Sequence, residues 1–151
     1  MSLPSNEPIY TISIAAEMLG ISTHTLRLYE KEGLILPHRT KSKRRIYSDI
    51  EIAKIRSFRQ LMDEEKLNFA ALRHLLALIP CWLHWPEHMD TCNECPAFNN
   101  MGHPCWAAKD KCLHPMKNCR DCQVYLSAID IYEIKNKVFS SYKRALQIRN
   151  N

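Results

Sequence analysis

From Tyr10 onward the apolar residues recur at helical rather than strand spacing, in short groups separated by polar breaks. Ile12, Ile14, Ala15, Ala16, Leu19 and Ile21 fall around one short helix, which Gly20 closes from just past its end. Ser22 then stands where an N-cap belongs. It predicts a second helix from about Thr23 to Lys31, with Leu26 and Tyr29 turned inward and Thr23, His24, Thr25 and Arg27 outward. Gly33 stops that helix, and Leu34 to Pro37 leads into a short basic hairpin or loop ending at Tyr47. Ser48-Asp49 opens a third helix, in which Ile52, Ile55, Phe58, Leu61 and Met62 make an i, i+3, i+4 stripe. Asn68 caps a fourth carrying Phe69, Leu72, Leu75, Leu76 and Ile79, which Pro80 ends. Met1 to Pro8 has no period and is expected to fray.

The period disappears between residues 81 and 122, where Pro86, Pro96, Pro104 and Pro115 are interspersed with all seven cysteines. Loops held together by ligands are the expectation there. From about Val124 a near 3, 4 alternation returns through Ile131, Ile134, Val138, Ser141, Ala145 and Ile148, compatible with a coiled-coil seam that pairs two copies of the chain, or with a helix folded back on its own domain. The pattern therefore reads as mainly α. It divides into a winged helix-turn-helix head (residues 9–79), a cysteine-rich module bound to a metal or cluster (80–123) and a C-terminal dimerisation helix (124–150).

Composition narrows the class. With 151 residues and 46% hydrophobic positions the chain can build a core, so disorder is excluded. No stretch approaches the roughly 18 uninterrupted apolar residues of a membrane span, and no basic segment with an apolar run opens the chain, so a cytoplasmic protein without membrane contact is expected. The net charge of +5 is unevenly spread: residues 1–79 carry 12 Lys+Arg against 9 Asp+Glu, residues 80–123 carry 4 against 5, and residues 124–151 carry 5 against 2. A basic excess on both sides of the cysteine segment fits a nucleic-acid partner.

A helix, a Gly-containing turn and a second helix place the start of that second helix in a major groove, so Thr23, His24 and Thr25 are the candidates for reading base edges, with Arg27 better placed for phosphate. Lys41, Lys43, Arg44 and Arg45 form a local patch that would displace counterions along the DNA backbone. The blocks Tyr10-Thr11-Ile12, Leu19-Gly20-Ile21-Ser22, Thr25-Leu26-Arg27-Leu28-Tyr29-Glu30 and Glu32-Gly33-Leu34-Ile35, followed by Pro37, Arg39, Arg45, Tyr47 and Leu67-Asn68-Phe69, resemble the head of the MerR family of transcription regulators. That resemblance covers nearly half of the chain. It implies a winged helix-turn-helix on double-stranded promoter DNA, a homodimer joined through a C-terminal helix, and RNA polymerase as the neighbour at the promoter. It adds Arg39, Tyr29 and Tyr47 to the DNA-facing set, the Tyr29 hydroxyl reaching a phosphate.

The cysteines run Cys81-x10-Cys92-x2-Cys95-x9-Cys105-x6-Cys112-x6-Cys119-x2-Cys122. Two Cys-x2-Cys pairs in a reduced compartment point to bound metal, because that spacing turns both thiolates toward one ion. Four thiolates suit zinc or an iron–sulfur cluster alike, and seven exceed what one zinc needs. Trp82, Trp85, Trp106 and Phe98 could form a dry shell around a cluster, and His84, His88, His103 and His114 lie near enough in sequence to substitute as ligands. An iron–sulfur cluster is the leading expectation and zinc the alternative, with redox thiols or another ligand such as haem behind them. Residues 81–125 also resemble a small module of bacterial signalling and regulatory proteins, marked by two Cys-Trp dipeptides, here Cys81-Trp82 and Cys105-Trp106. That likeness leaves the ligand open. The four-cysteine motif of the MerR family's iron–sulfur branch is absent.

Three functions compete on this reading. The first is a regulator of transcription whose thiol module reports redox state or metal. The second keeps the DNA-binding head, as a repressor, and makes the module a structural zinc staple. A thiol-disulfide oxidoreductase stands third, since neither Cys-x2-Cys pair opens a helix after a strand. A non-enzyme is therefore expected.

Overall fold

The computed structural model describes residues 2–112 and 118–149. In the head, a strand β1 (Tyr10–Thr11) precedes α1 (Ile12–Leu19) and α2 (Thr23–Lys31), then come β2 (His38–Arg39), β3 (Arg45–Tyr47), α3 (Asp49–Glu64) and α4 (Phe69–Ala77). The three strands form an antiparallel sheet in the order β1-β3-β2, with Tyr10 opposite Tyr47 and Arg39 opposite Arg45.

Each helix begins and ends for a local reason. Gly20 and Gly33 adopt φ of 63° and 73° beyond α1 and α2, the left-handed conformation that lets the next amide fold back. Ile21 N accordingly donates to the Ala16 carbonyl at 3.0 Å and Leu34 N to the Tyr29 carbonyl at 3.0 Å. Ser22 Oγ accepts from Thr25 N at 3.0 Å and Asn68 Oδ1 from Ala71 N at 2.9 Å, so both expected N-caps are in place. At the start of α3 the Glu51 carboxylate reaches back to Ser48 N at 2.8 Å and Ser48 Oγ at 2.5 Å.

The module is built from short 3-10 turns, each bearing cysteine: Cys81–Leu83, Pro86–Glu94, Cys105–Lys111 and Cys119–Asp121. The single helix expected from about Val124 is two, α5 (Gln123–Leu126) and α6 (Ile131–Arg149). Val124, Tyr125, Ala128, Ile131 and Ile134 are buried together with Leu26, Ile50, Phe58, Leu72 and Trp106, so head, module and the start of α6 share one core. Beyond Ile134 the seam changes character: Val138 and Ile148 are exposed, and the Ser141 hydroxyl accepts from Trp82 Nε1 at 2.9 Å.

The leader is tied down at Ser5 and Asn6. Ser5 O accepts from Ile50 N at 3.2 Å, and Asn6 Nδ2 donates to the Arg120 carbonyl at 3.2 Å. An aperiodic segment is held here by main-chain and amide hydrogen bonds, which leave no hydrophobic period to read. Among the described residues, no helix is long and apolar enough to cross a membrane.

Candidate nucleic-acid interface and thiol cavity

The start of α2 presents His24 and Arg27 to solvent, with Thr23 and Thr25 half-buried. The Thr25 hydroxyl already lies 2.9 Å from Ser22 Oγ, which fixes its rotamer within the cap. The wing is a tight hairpin. Thr40 N donates to the Arg44 carbonyl at 3.0 Å, Arg44 N donates to Thr40 Oγ1 at 3.0 Å, and Lys43 turns the corner at φ 62°. Lys41, Lys43 and Arg44 are exposed at its tip.

Glu30 at the C-terminal end of α2 binds the wing to the helix. Its Oε1 accepts from Arg39 Nη2 at 2.6 Å, and its Oε2 accepts from Arg45 Nε. Two of the expected DNA-facing cations therefore have an internal carboxylate partner. Of the two tyrosines of that set, Tyr29 is 2% exposed, in line with the inward turn expected of it, and Tyr47 is fully buried. Tyr29 meets Phe69 edge to face at 5.1 Å and directs its hydroxyl at Met62 Sδ, 3.9 Å away. Burial raises both phenols, Tyr47 to about 12. Their rings face inward because they lie on the same side of α2 and β3 as Leu26 and the core.

Residues 10–79 match the family described as MerR HTH family regulatory protein. The head belongs to the MerR family. The chain is 37% identical over 76 residues to HspR, named as a heat shock protein, of Streptomyces coelicolor, covering 50% of each chain. It is 31% identical over 71 residues to the HTH-type transcriptional regulator GlnR of Bacillus cereus, covering 47% of this chain and 54% of that one. It is 36% identical over 59 residues to the HTH-type transcriptional repressor CarH of Myxococcus xanthus, covering 38% and 20%. The chain thus spans about half the length of the first two relatives. No solved structure is significantly similar to it.

Against the MerR head lies an apolar cavity of about 450 Å³, lined by Cys81, Cys92, Cys95, Cys105, Cys112 and Cys122 with Trp82, Trp85, Phe98, Leu76, Ile79 and Val124. All seven cysteines are thiols. Burial pushes the Cys81 thiol up to about 11, with Cys92, Cys112 and Cys95 adding to the shift. Burial also raises Cys105 well above its ordinary value, Cys112, Cys81, Cys122 and Cys119 contributing, so Cys119 lies near the others without lining the cavity. Cys81 and Cys105 therefore favour the protonated form, because thiolates there would be desolvated and repelled by their neighbours. A cation would reverse that balance. Among the described residues, no three His, Cys, Asp or Glu side chains gather tightly enough to hold a single ion.

The expected aromatic shell divides: Trp82, Trp85 and Phe98 line the cavity, whereas Trp106 turns away into the core and meets Tyr125 edge to face at 5.3 Å. Of the histidines, His84 is turned to Ser127, Nε2 to Oγ 3.3 Å, and His103 is exposed. His114 and the His88 side chain lie outside the described residues.

Between cavity and MerR head is a buried polar network that hydrophobic periodicity did not reveal. Lys54 and Glu51, both fully buried on α3, face the module. Lys54 Nζ donates to the Tyr125 carbonyl at 2.5 Å and the Ala128 carbonyl at 2.8 Å, and stands 4.2 Å from the Tyr125 ring and 5.1 Å from that of Trp106. Tyr125 Oη donates to Glu51 Oε1 at 2.8 Å, and Arg120 Nη2 lies 3.8 Å from the same oxygen. One signal was available. Lys54 falls four residues after Ile50 and four before Phe58, so a cation occupies the core stripe of α3.

Proposed function

We propose that the chain is a homodimeric, sequence-specific DNA-binding transcriptional regulator of the MerR type, whose thiol cavity holds an iron–sulfur cluster and whose DNA binding follows the state of that cluster. One observation carries this reading: six thiols line an apolar cavity that shares its core with a winged helix-turn-helix. The residues fit such a group. Sulfur donors are the ligands iron–sulfur clusters use, and Trp82, Trp85 and Phe98 supply a water-poor wall. A space lined by so many spread thiols suits a polynuclear cluster better than one tetrahedral zinc, whose four ligands converge on a point. When bound, the cluster would supply one-electron redox chemistry. The chain's own part is to hold the sulfurs, exclude water and pass the consequence to the head.

Thr23, His24 and Arg27 would face the major groove, and Lys41, Lys43 and Arg44 the flanking phosphates. The partner is promoter duplex, with RNA polymerase beside it, in the cytoplasm. A second copy would cover the apolar face of α6, where Val138, Phe139 and Tyr142 are 45%, 55% and 60% exposed.

Purification without oxygen, with visible absorbance and iron, sulfide and zinc content, tests the cofactor. Brown protein with stoichiometric iron and sulfide is expected. Colourless protein with one zinc would replace the cluster by a structural staple, and failure to retain any duplex from a random pool would remove the regulator itself.

A further inference from the structure

The segment from Gly33 to Leu36 joins the end of the recognition helix α2 to wing strand β2. Its main-chain groups are met by side chains of the thiol module. Trp106 Nε1 donates to the Gly33 carbonyl at 2.8 Å, and Leu36 N donates to Tyr125 Oη at 2.9 Å. Leu34 and Ile35, between these two grips, are fully buried. The grips act as one unit, since the Trp106 and Tyr125 rings pack edge to face at 5.3 Å. Both are also tied to thiols. Trp106 directly follows Cys105, and Tyr125 lies in the single turn of α5 for which Cys122 is the N-cap.

Clearance at this joint is small: a Cβ added at Gly33 would sit 3.0 Å from the Ala107 Cβ. Close-packed contacts of this kind pass on a displacement rather than absorb it. The other Cys-Trp dipeptide repeats the arrangement on a different element. Cys81 lines the cavity, while Trp82 Nε1 donates to Ser141 Oγ on α6 at 2.9 Å.

We infer that the two Cys-Trp dipeptides are the output arms of the cavity: each cysteine meets the ligand, and its tryptophan carries the change outward, Trp106 to the joint between recognition helix and wing, and Trp82 to α6. This rests on the reading of the cavity as a ligand site. The indole N–H gives each arm a fixed partner, and for Trp106, whose ring is buried, an unmet donor would be costly. Loading that repositions the Cys105 turn thereby resets the angle at which α2 and the wing meet DNA, and does so only as far as the two states differ in their affinity for it.

The test uses the full chain, metal-free and reduced, or reconstituted without oxygen with iron and sulfide, and separately with Zn²⁺ alone. Each form is titrated against duplexes that the unaltered protein selects from a random pool. The ratio of Kd between loaded and metal-free protein is expected to fall in the range of typical couplings, about 5- to 150-fold. Trp106→Phe keeps a buried ring but lacks the N–H; it is expected to take up the same metal and to bring that ratio to within about twofold of one. Tyr125→Phe cuts the second grip and stands in if Trp106→Phe fails to fold by circular dichroism. Loss of the ratio at undiminished metal content supports the relay, because a residue that merely stabilised the fold would leave the ratio alone. An unchanged ratio in either folded variant overturns the relay and leaves the sensor intact. A ratio of one in the unaltered protein overturns the sensor reading and the relay with it, before any substitution is made.

Discussion

Lys54 Nζ donates to the main-chain oxygen of Tyr125 across 2.5 Å, so a lysine at the centre of α3 closes the C-terminal end of α5. A second bond to the Ala128 carbonyl makes this cation the common support of the segment that leads into α6. Lys54→Ala leaves a cavity and two carbonyls without their donor, and is expected to cost about 3–5 kcal/mol. Lys54→Met fills the same space and gives up the hydrogen bonds, at about 1–3 kcal/mol. Urea denaturation of both variants measures the difference. Equal losses would mean that the ammonium contributes only its volume.

The same burial predicts how stability varies with pH. Desolvation lowers Lys54 to about 7, opposed by Glu51 and reinforced by Lys137, whereas in the unfolded chain it titrates near about 10.4. Between these values the unfolded state binds more protons, so the unfolding free energy rises with pH from about 7 upward. The thiols act in the opposite sense. Cys81 stays protonated to about 11 in the fold and ionises at about 8.5 when unfolded, so its contribution falls through that window; Cys105, also raised, acts in the same direction. Metal-free, reduced protein should therefore be most stable at about pH 8–9, the crossing point of these two trends. In Lys54→Met the rise above pH 7 should flatten while the alkaline fall remains, and a curve of unaltered shape would remove Lys54 as its source.

Glu30 is shared between Arg39 and Arg45 at the root of the wing, offsetting one of their two charges, while Arg44 stands exposed at the tip. Arg44→Ala should weaken binding to all duplexes alike and lower the slope of log K against log salt by about one. Glu30→Gln should do the reverse to the slope, since it releases cations toward phosphate, and should blur sequence preference because the wing is no longer fastened to α2. Fluorescence anisotropy titrations at several salt concentrations separate the two outcomes. Steeper salt dependence with undiminished preference in Glu30→Gln would show that the clasp does not orient the wing.

Ser22, Gly20, Gly33, Ser48 and Asn68 made the head legible in the sequence, because a cap or left-handed glycine acts over a few residues and leaves a local mark. The apolar stripe of α3 was equally plain. Tyr29 and Tyr47 were harder to place: a phenol suits a core or a phosphate, and only the fold shows both rings buried, Tyr29 against Phe69. Joining the cysteines around one cavity depends on contacts between residues as distant as Cys81 and Cys122, which no spacing rule encodes. The Asn6 and Arg120 contact, spanning 114 residues, was hidden for the same reason. Val124 misled because its spacing to Ile131 fits a heptad, although the chain breaks between α5 and α6.

The split between α5 and α6 changes how dimerisation should be tested. Removing everything from Val124 onward would take Tyr125, Ala128, Ile131 and Ile134 out of the core and unfold the head with it. Single substitutions on the outer turns avoid this, since Phe139 and Tyr142 are 55% and 60% exposed. An apolar side chain buried on association contributes about 1.5–3 kcal/mol, and each substitution acts once in both copies, so Phe139→Glu should raise the dimer Kd at least about a hundredfold. Tyr142→Glu, one turn further along the same face, should behave alike. Sedimentation equilibrium reads the change, and the circular dichroism spectrum of the folded chain should stay as it was. A dimer that persists through both substitutions would move the interface off α6 and leave Trp82 and Ser141 holding a helix with some other task.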